Sequence, residues 1–150
     1  MISYKQLNEL ANMRLEDAKI LYDKQRYNAA FYLCGYANEF ELKAMICKKL
    51  KLYGIPNKKK EFAKVQNVLK EIMVHNPEKL LELLGILDPD IPKDFIAKNQ
   101  SDWSIILEWY PETRYSPIDE QSSEEQQLTA DNLIKSTTVL LNYFQKNIWS

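Results

Sequence analysis

Apolar residues recur along most of the chain at the three- and four-residue spacing of an amphipathic helix. Between Tyr27 and Leu50 they cover most of the circumference of the predicted helix, so other elements have to surround it. The polar exceptions lie on one line of its surface, and we call them the polar stripe: Tyr32, Tyr36, Glu39 and Lys43. The pattern therefore predicts a central helix that carries one polar stripe.

A helical hairpin is predicted at the start of the chain. Ser3 and Gln6 have the spacing of a capping box, which opens a first helix over Tyr4 to Lys24. The connection to the central helix is short, so the two helices should lie antiparallel. The central helix is predicted to run to about Tyr53 and to be stopped by Gly54.

The rest of the chain contains further helical segments and a polar, turn-rich loop before the last of them. Asn76 and Pro77 fit the N-cap and first position of a helix, and Ser122 with Glu125 fits a second capping box. The predicted segments are Lys58 to Met73, Pro77 to Gly85, one or two turns within Lys93 to Lys98, Ser101 to Pro111, and Ser122 to Ile148. The pattern predicts an all-α, up-and-down bundle of about four to five helices with short extra helices, in one domain over residues 1–150.

Composition agrees with a small helical domain. The chain has 150 residues, of which 45% are hydrophobic, which is enough for a core, and its three glycines favour helices. Gly35 in mid-helix costs about 1 kcal/mol relative to Ala, which predicts the close approach of another helix backbone. Cys34 and Cys47 lie roughly 20 Å apart along one helix, so reduced thiols are expected. The chain has neither a signal peptide pattern nor an apolar run of about 18 residues, so we expect a soluble cytoplasmic protein without membrane contact.

Charge is distributed unevenly although the formal net charge is −1. Nine Lys stand against one Glu between Lys43 and Lys70, and eight acidic residues stand against one Arg between Asp102 and Asp131. These basic and acidic lobes could attract each other within or between subunits, or attract a partner, or simply be solvated. The basic lobe could also contact nucleic acid through its phosphates.

Three pieces of the chain resemble the HEPN domain family, small prokaryotic helical bundles that often accompany nucleotidyltransferases. The pieces are Arg14 to Leu50 with its GYANEFELKA core, HNPEKLLELLGI from His75, and WYPETRYSP from Trp109. The resemblance implies a HEPN-like bundle that forms a homodimer. It further implies that the protein binds nucleotide or RNA, or partners a nucleotidyltransferase, in a toxin–antitoxin or defence module.

The ribonuclease motif of catalytically active HEPN proteins is an Arg followed after four to six residues by His. The chain has one His, His75, and the residue five positions earlier is Lys70. No His follows Arg114. Lys70 and His75 are therefore weak candidates for catalysis, and a non-catalytic role is favoured. The alternatives are a divergent metal-independent ribonuclease and a plain interaction module.

His75 has two interpretations. Its imidazole can donate or accept a proton near neutral pH, which acid–base chemistry requires. We favour the second interpretation, in which it orders the turn before a helix by hydrogen bonding to backbone or to a carboxylate.

The polar stripe is a candidate ligand site, over which Arg114 and Tyr115 could close. The competing interpretation, which we favour slightly, is a structural network in which Glu39 pairs with Arg114 or Lys43. No metal site is expected, because the Cys and His residues lack ligand spacing, and no cofactor is expected, because there is no Gly-rich phosphate loop.

Overall fold

The computed structural model describes residues 2–50, 54–55, 74–109 and 121–149. Within these ranges the chain forms six α-helices, which confirms the all-α prediction. They are α1 (Tyr4–Asp23), α2 (Tyr27–Lys49), α3 (Pro77–Leu87), α4 (Asp90–Lys98), α5 (Gln100–Leu107) and α6 (Ser123–Phe144). The helix predicted over Lys58 to Met73 and most of the predicted loop before α6 lie outside the described residues.

The capping box predicted at the start of α1 is present. The Ser3 hydroxyl accepts a hydrogen bond from the Gln6 backbone N–H (3.0 Å), and the Gln6 side chain accepts one from the Ser3 N–H (2.8 Å). At the other end, Gln25 adopts a left-handed conformation with φ of 61°. The chain reverses there, and α2 packs along α1 as the predicted hairpin.

The end of α2 differs from the prediction. The helix stops at Lys49, and residues Gly54–Ile55 form a strand, β2, that pairs antiparallel with β1 at Ile2–Ser3. The predicted extension to about Tyr53 is therefore wrong. Two-residue strands are too short to leave an alternating pattern in the sequence, so periodicity could not predict this pairing.

The start of α3 matches the prediction, whereas its end does not. Asn76 Oδ1 accepts a hydrogen bond from the Glu78 N–H (2.9 Å), and Pro77 occupies the first helical position. The helix continues through Gly85 to Leu87, so the predicted stop at Gly85 is wrong. A Cβ on Gly85 would lie 3.2 Å from Pro92 Cγ, which indicates that this glycine makes room for a neighbour.

Helices α4 and α5 have other bounds than the sequence indicated. α4 begins at Asp90, before the predicted Lys93, because Pro92 is accepted in a first helical turn where its missing N–H costs nothing. α5 runs over Gln100–Leu107 with Asn99 as its N-cap residue, so the predicted start at Ser101 and the predicted end at Pro111 are both wrong.

The last helix begins as predicted and changes character near its end. The Ser122 hydroxyl accepts a hydrogen bond from the Glu125 N–H (3.2 Å), which confirms the predicted cap. α6 ends at Phe144, short of the predicted Ile148, and a π-helical turn continues over Gln145–Trp149.

The core is organised around α2, against which α1, α3 and α6 pack. Its buried apolar residues come from every described helix, for example Leu15, Met45, Leu84, Phe95 and Leu133. α2 also buries polar side chains, so this central helix carries candidate functional groups. Among the described helices, none is both long enough and apolar enough to span a bilayer.

Candidate functional site

The polar stripe of α2 is resolved as two hydrogen-bonded pairs. The hydroxyls of Tyr32 and Tyr36 lie 3.0 Å apart, and their rings meet edge to face at 5.2 Å between centroids. One turn further, Lys43 Nζ donates to Glu39 Oε1 at 3.0 Å. The two Tyr side chains are half-buried, whereas the Glu39 and Lys43 side chains are only 1% and 4% exposed.

His75 joins the stripe from the chain just before α3. Its Nδ1 contacts Glu39 Oε1, the same oxygen that accepts from Lys43. Because an ionised carboxylate can only accept, a neutral imidazole in this contact has its hydrogen on Nδ1 and its lone pair on Nε2. The His75 side chain remains 58% exposed although its carboxylate partner is buried.

The contacts among Lys43, Glu39 and His75 form a continuous polar network, which we call the Lys–Glu–His relay. A buried carboxylate that holds one ring nitrogen fixes both the orientation and the tautomer of an imidazole. The structural interpretation of these residues requires two contacts, a hydrogen bond from His75 to a carboxylate and a pairing of Glu39 with Lys43. Both contacts are present. The relay also connects the N-terminus of α3, which starts two residues later, to the middle of α2.

Trp109, which follows α5, covers the other end of the stripe. Its indole lies against Gly35, where an added Cβ would be 1.9 Å from Trp109 Cε2. The indole N–H donates to the Tyr32 carbonyl (3.2 Å), and the ring meets Tyr36 edge to face at 5.1 Å. The predicted approach of a helix backbone at Gly35 is therefore wrong, because a side chain occupies that space.

A family model described as HEPN domain matches residues 4–148, which is essentially the whole chain. The chain belongs to the HEPN family. Among curated proteins and solved structures there is no match.

The HEPN bundle contains a second buried polar cluster between α2 and α6. Asn38 Nδ2 donates to Thr137 Oγ1 (2.9 Å), and Cys34 Sγ lies 3.3 Å from the same oxygen. Burial raises the pKa of Cys34 to about 12 and that of Cys47 to about 11, so neither thiol is an effective nucleophile near neutral pH. Sequence reasoning missed Thr137, because nothing in a long helix marks which Thr faces an Asn far away in the chain.

Several sequence candidates lie outside the described residues of this HEPN chain, namely Lys70, Arg114 and Tyr115. Among the residues that are described, no group of His, Cys, Asp and Glu is arranged to hold a metal ion. Of the candidates, the structure brings together Tyr32 with Tyr36, and Glu39 with Lys43 and His75. His75 is the residue through which this network reaches solvent.

Proposed function

We propose that this HEPN protein binds a phosphate-containing ligand, a nucleotide or RNA, without cleaving it. It would act beside a nucleotidyltransferase in a toxin–antitoxin or defence module. The observation that supports ligand binding is the exposed imidazole of His75, held by the buried Glu39 carboxylate at the end of the polar stripe. The positioned Nε2 can accept a hydrogen bond from a base edge, and on a protonated ring it can donate one to a phosphate oxygen, without a large loss of side-chain freedom.

The burial of Glu39 and Lys43 changes which stripe residues would touch the ligand. Their charges face each other in the interior, so Lys43 is not offered to a phosphate. A ligand on this face would meet His75 and the partly exposed rings of Tyr32 and Tyr36. Aromatic rings are suitable surfaces for the stacking of a base.

Binding is favoured over cleavage because the chain lacks the Arg and His pair of active HEPN ribonucleases. It has one His, and a Lys stands five residues before it. One imidazole in each subunit cannot alone supply both the base and the acid that strand cleavage needs.

Native mass spectrometry of the protein as purified tests the binding proposal first, because it reports oligomeric state and retained nucleotide together. Calorimetric titration with ATP and with a short single-stranded RNA then measures affinity. We expect His75→Asn to weaken binding about tenfold or more, since a hydrogen bond to a charged group contributes about 1.5–3 kcal/mol. Lys98→Ala, an exposed change on α4, is the matched control. The absence of both retained nucleotide and binding heat would contradict the proposal.

A divergent metal-independent ribonuclease is the second candidate, and the Lys–Glu–His relay favours it. A carboxylate that orients an imidazole is the arrangement by which many enzymes position a general base. This candidate predicts RNA cleavage in the presence of EDTA that His75→Ala abolishes. RNA that stays intact with the purified wild-type protein would eliminate it.

We also propose that the protein works as a cytoplasmic homodimer. Two-fold dimers are the commonest assemblies, and the opposite charges of the basic and acidic lobes would favour contact between copies. If the protein proves to be a dimer with neither ligand nor enzyme partner, the plain interaction module becomes the better description.

A further inference from the structure

His75 has the three properties that a nucleophilic imidazole requires. Its side chain is 58% exposed, so a second molecule can approach the ring. Its Nδ1 is engaged by Glu39, so in the neutral ring the lone pair is on the exposed side, at Nε2. The carboxylate behind the ring is buried and held by Lys43, so it cannot swing away during a reaction.

We propose that Nε2 of His75 is a covalent phosphoryl acceptor and that Glu39 is its positioning residue. The donor would be a small molecule with a labile bond to phosphorus, such as an acyl phosphate or a phosphoramidate. This goes beyond the non-covalent binding proposed above, because it assigns a modification site and a reaction to the same imidazole.

The reaction balances without a further reagent. The Nε2 lone pair forms a bond to phosphorus while the bond from phosphorus to the leaving group breaks, and the leaving group departs with that electron pair. The ring then carries a positive charge and still holds its hydrogen on Nδ1. Transfer of that proton to Glu39 Oε1 gives a phosphohistidine whose imidazole ring is uncharged and whose phosphoryl group keeps its negative charge.

Glu39 would assist the step by electrostatics. Positive charge develops on the ring as the new bond forms, and a fixed carboxylate in contact with Nδ1 stabilises it. The Glu39 side chain is only 1% exposed, so water screens this interaction weakly. Lys43 donates to the same carboxylate oxygen and keeps it against the ring.

The two thiols of the described region do not compete for the phosphoryl group. Cys34 and Cys47 are buried, and their raised pKa values keep them protonated. Because His75 is the one histidine of the sequence, any phosphohistidine in the intact protein is assigned to it.

Potassium phosphoramidate is the probe that tests this inference on the full chain. We expect the intact mass to increase by one phosphoryl group, and ³¹P NMR to show attachment at Nε2. His75→Asn should abolish this acid-labile modification. Absence of phosphohistidine in the wild-type protein, or attachment at Nδ1, would overturn the proposal.

Two variants separate the positioning role of Glu39 from a role in folding. Glu39→Gln should slow the reaction about ten- to a hundredfold and should let some product form at Nδ1, which the carboxylate otherwise occupies. The double variant Glu39→Gln with Lys43→Met avoids an unpaired buried ammonium and should show the same changes with native helix content by circular dichroism. An unchanged rate and product in a folded variant would refute the role of Glu39.

The test is independent of ligand binding. A protein that takes the phosphoryl group but neither retains nucleotide nor gives binding heat supports the acceptor site and contradicts the binding proposal. A protein that retains nucleotide but remains unmodified gives the reverse result.

Discussion

Gly35 lacks a side chain at the point where the Trp109 indole lies against α2. The indole is 1% exposed and also donates to the Tyr32 carbonyl, so it has little freedom to move away. At the scale of single residues, this contact fixes the position at which the chain after α5 packs against the central helix.

Gly35→Ala should destabilise the protein even though Ala is the better helix former. The added Cβ would lie 1.9 Å from Trp109 Cε2, and forced repacking of a full core costs about 1–3 kcal/mol. Urea denaturation should show a net loss of that order in the free energy of unfolding, together with a changed Trp fluorescence spectrum. Gly85→Ala, whose Cβ would lie 3.2 Å from Pro92 Cγ, is the control and should change stability by about 1 kcal/mol or less. Equal effects of the two variants would contradict the role assigned to Trp109.

The pair formed by Glu39 and Lys43 gives a second prediction at this scale. Lys43→Met removes the ammonium group that pairs with the buried Glu39 carboxylate. This should cost about 3–5 kcal/mol in the free energy of unfolding. Glu39→Met with Lys43→Met should cost much less than the sum of the single variants, which a double-mutant cycle measures. Lys135→Met, which removes the exposed i,i+4 pair with Asp131, should have a far smaller effect. Additive single effects would show that the buried pair is not coupled.

The role of a residue could be predicted from the sequence where that role depends on local spacing. The polar stripe and the capping residues Ser3, Asn76 and Ser122 are examples, because partners three or four positions apart meet within one helix. The contacts of Trp109 with Gly35 and of His75 with Glu39 join distant parts of the chain. Periodicity carries no information about which distant residues meet, so the relay could not be derived from it.

At the scale of elements, α2 differs from its neighbours because it is buried along almost its whole length. It brings two protonated thiols into the core, Cys34 and Cys47, whose pKa values burial raises to about 12 and about 11. A thiol that stays protonated in the folded state but ionises in the unfolded chain makes folding dependent on pH.

Alkaline pH should therefore weaken the fold through α2. In the unfolded chain the thiols ionise near pH 9, so their contribution to stability is full below that value and is lost as pH rises towards 11 and 12. Each thiol should contribute a slope of about 1.4 kcal/mol per pH unit in this window. Urea denaturation from about pH 8 to about pH 11, which spans the onset, should show a shallower decline for Cys34→Ala with Cys47→Ala. Parallel curves for the wild type and the double variant would contradict this.

Helix starts could be predicted better than helix ends. A start depends on a cap within one turn, as at Ser122. An end depends on what the following chain meets: α2 stops early as the chain goes on to pair β2 with β1, and α3 continues through Gly85. The stop signals at Gly54 and Gly85 therefore did not fix where these two helices end.

At the scale of the whole molecule, the uneven charge predicts how copies associate. If the basic and acidic lobes drive dimer formation, sedimentation should show a dimer that dissociates as salt rises, because exposed charges are screened over about 10 Å at 0.1 M. Glu108→Gln with Glu124→Gln, both exposed positions of the acidic lobe, should weaken the dimer. Glu9→Gln, exposed but outside the lobe, should not. A dimer insensitive to both salt and the lobe variants would place the interface elsewhere.

The pairing of β1 with β2 has a consequence for synthesis. Residues 2–55 contain α1, α2 and both strands, so this unit can close on itself before α3 and α6 have left the ribosome. The early hairpin would carry Asn38 without Thr137 and Glu39 without His75, since both partners emerge later. The hairpin of α1 and α2 would thus form while its central helix still displays polar side chains that only later parts of the chain cover.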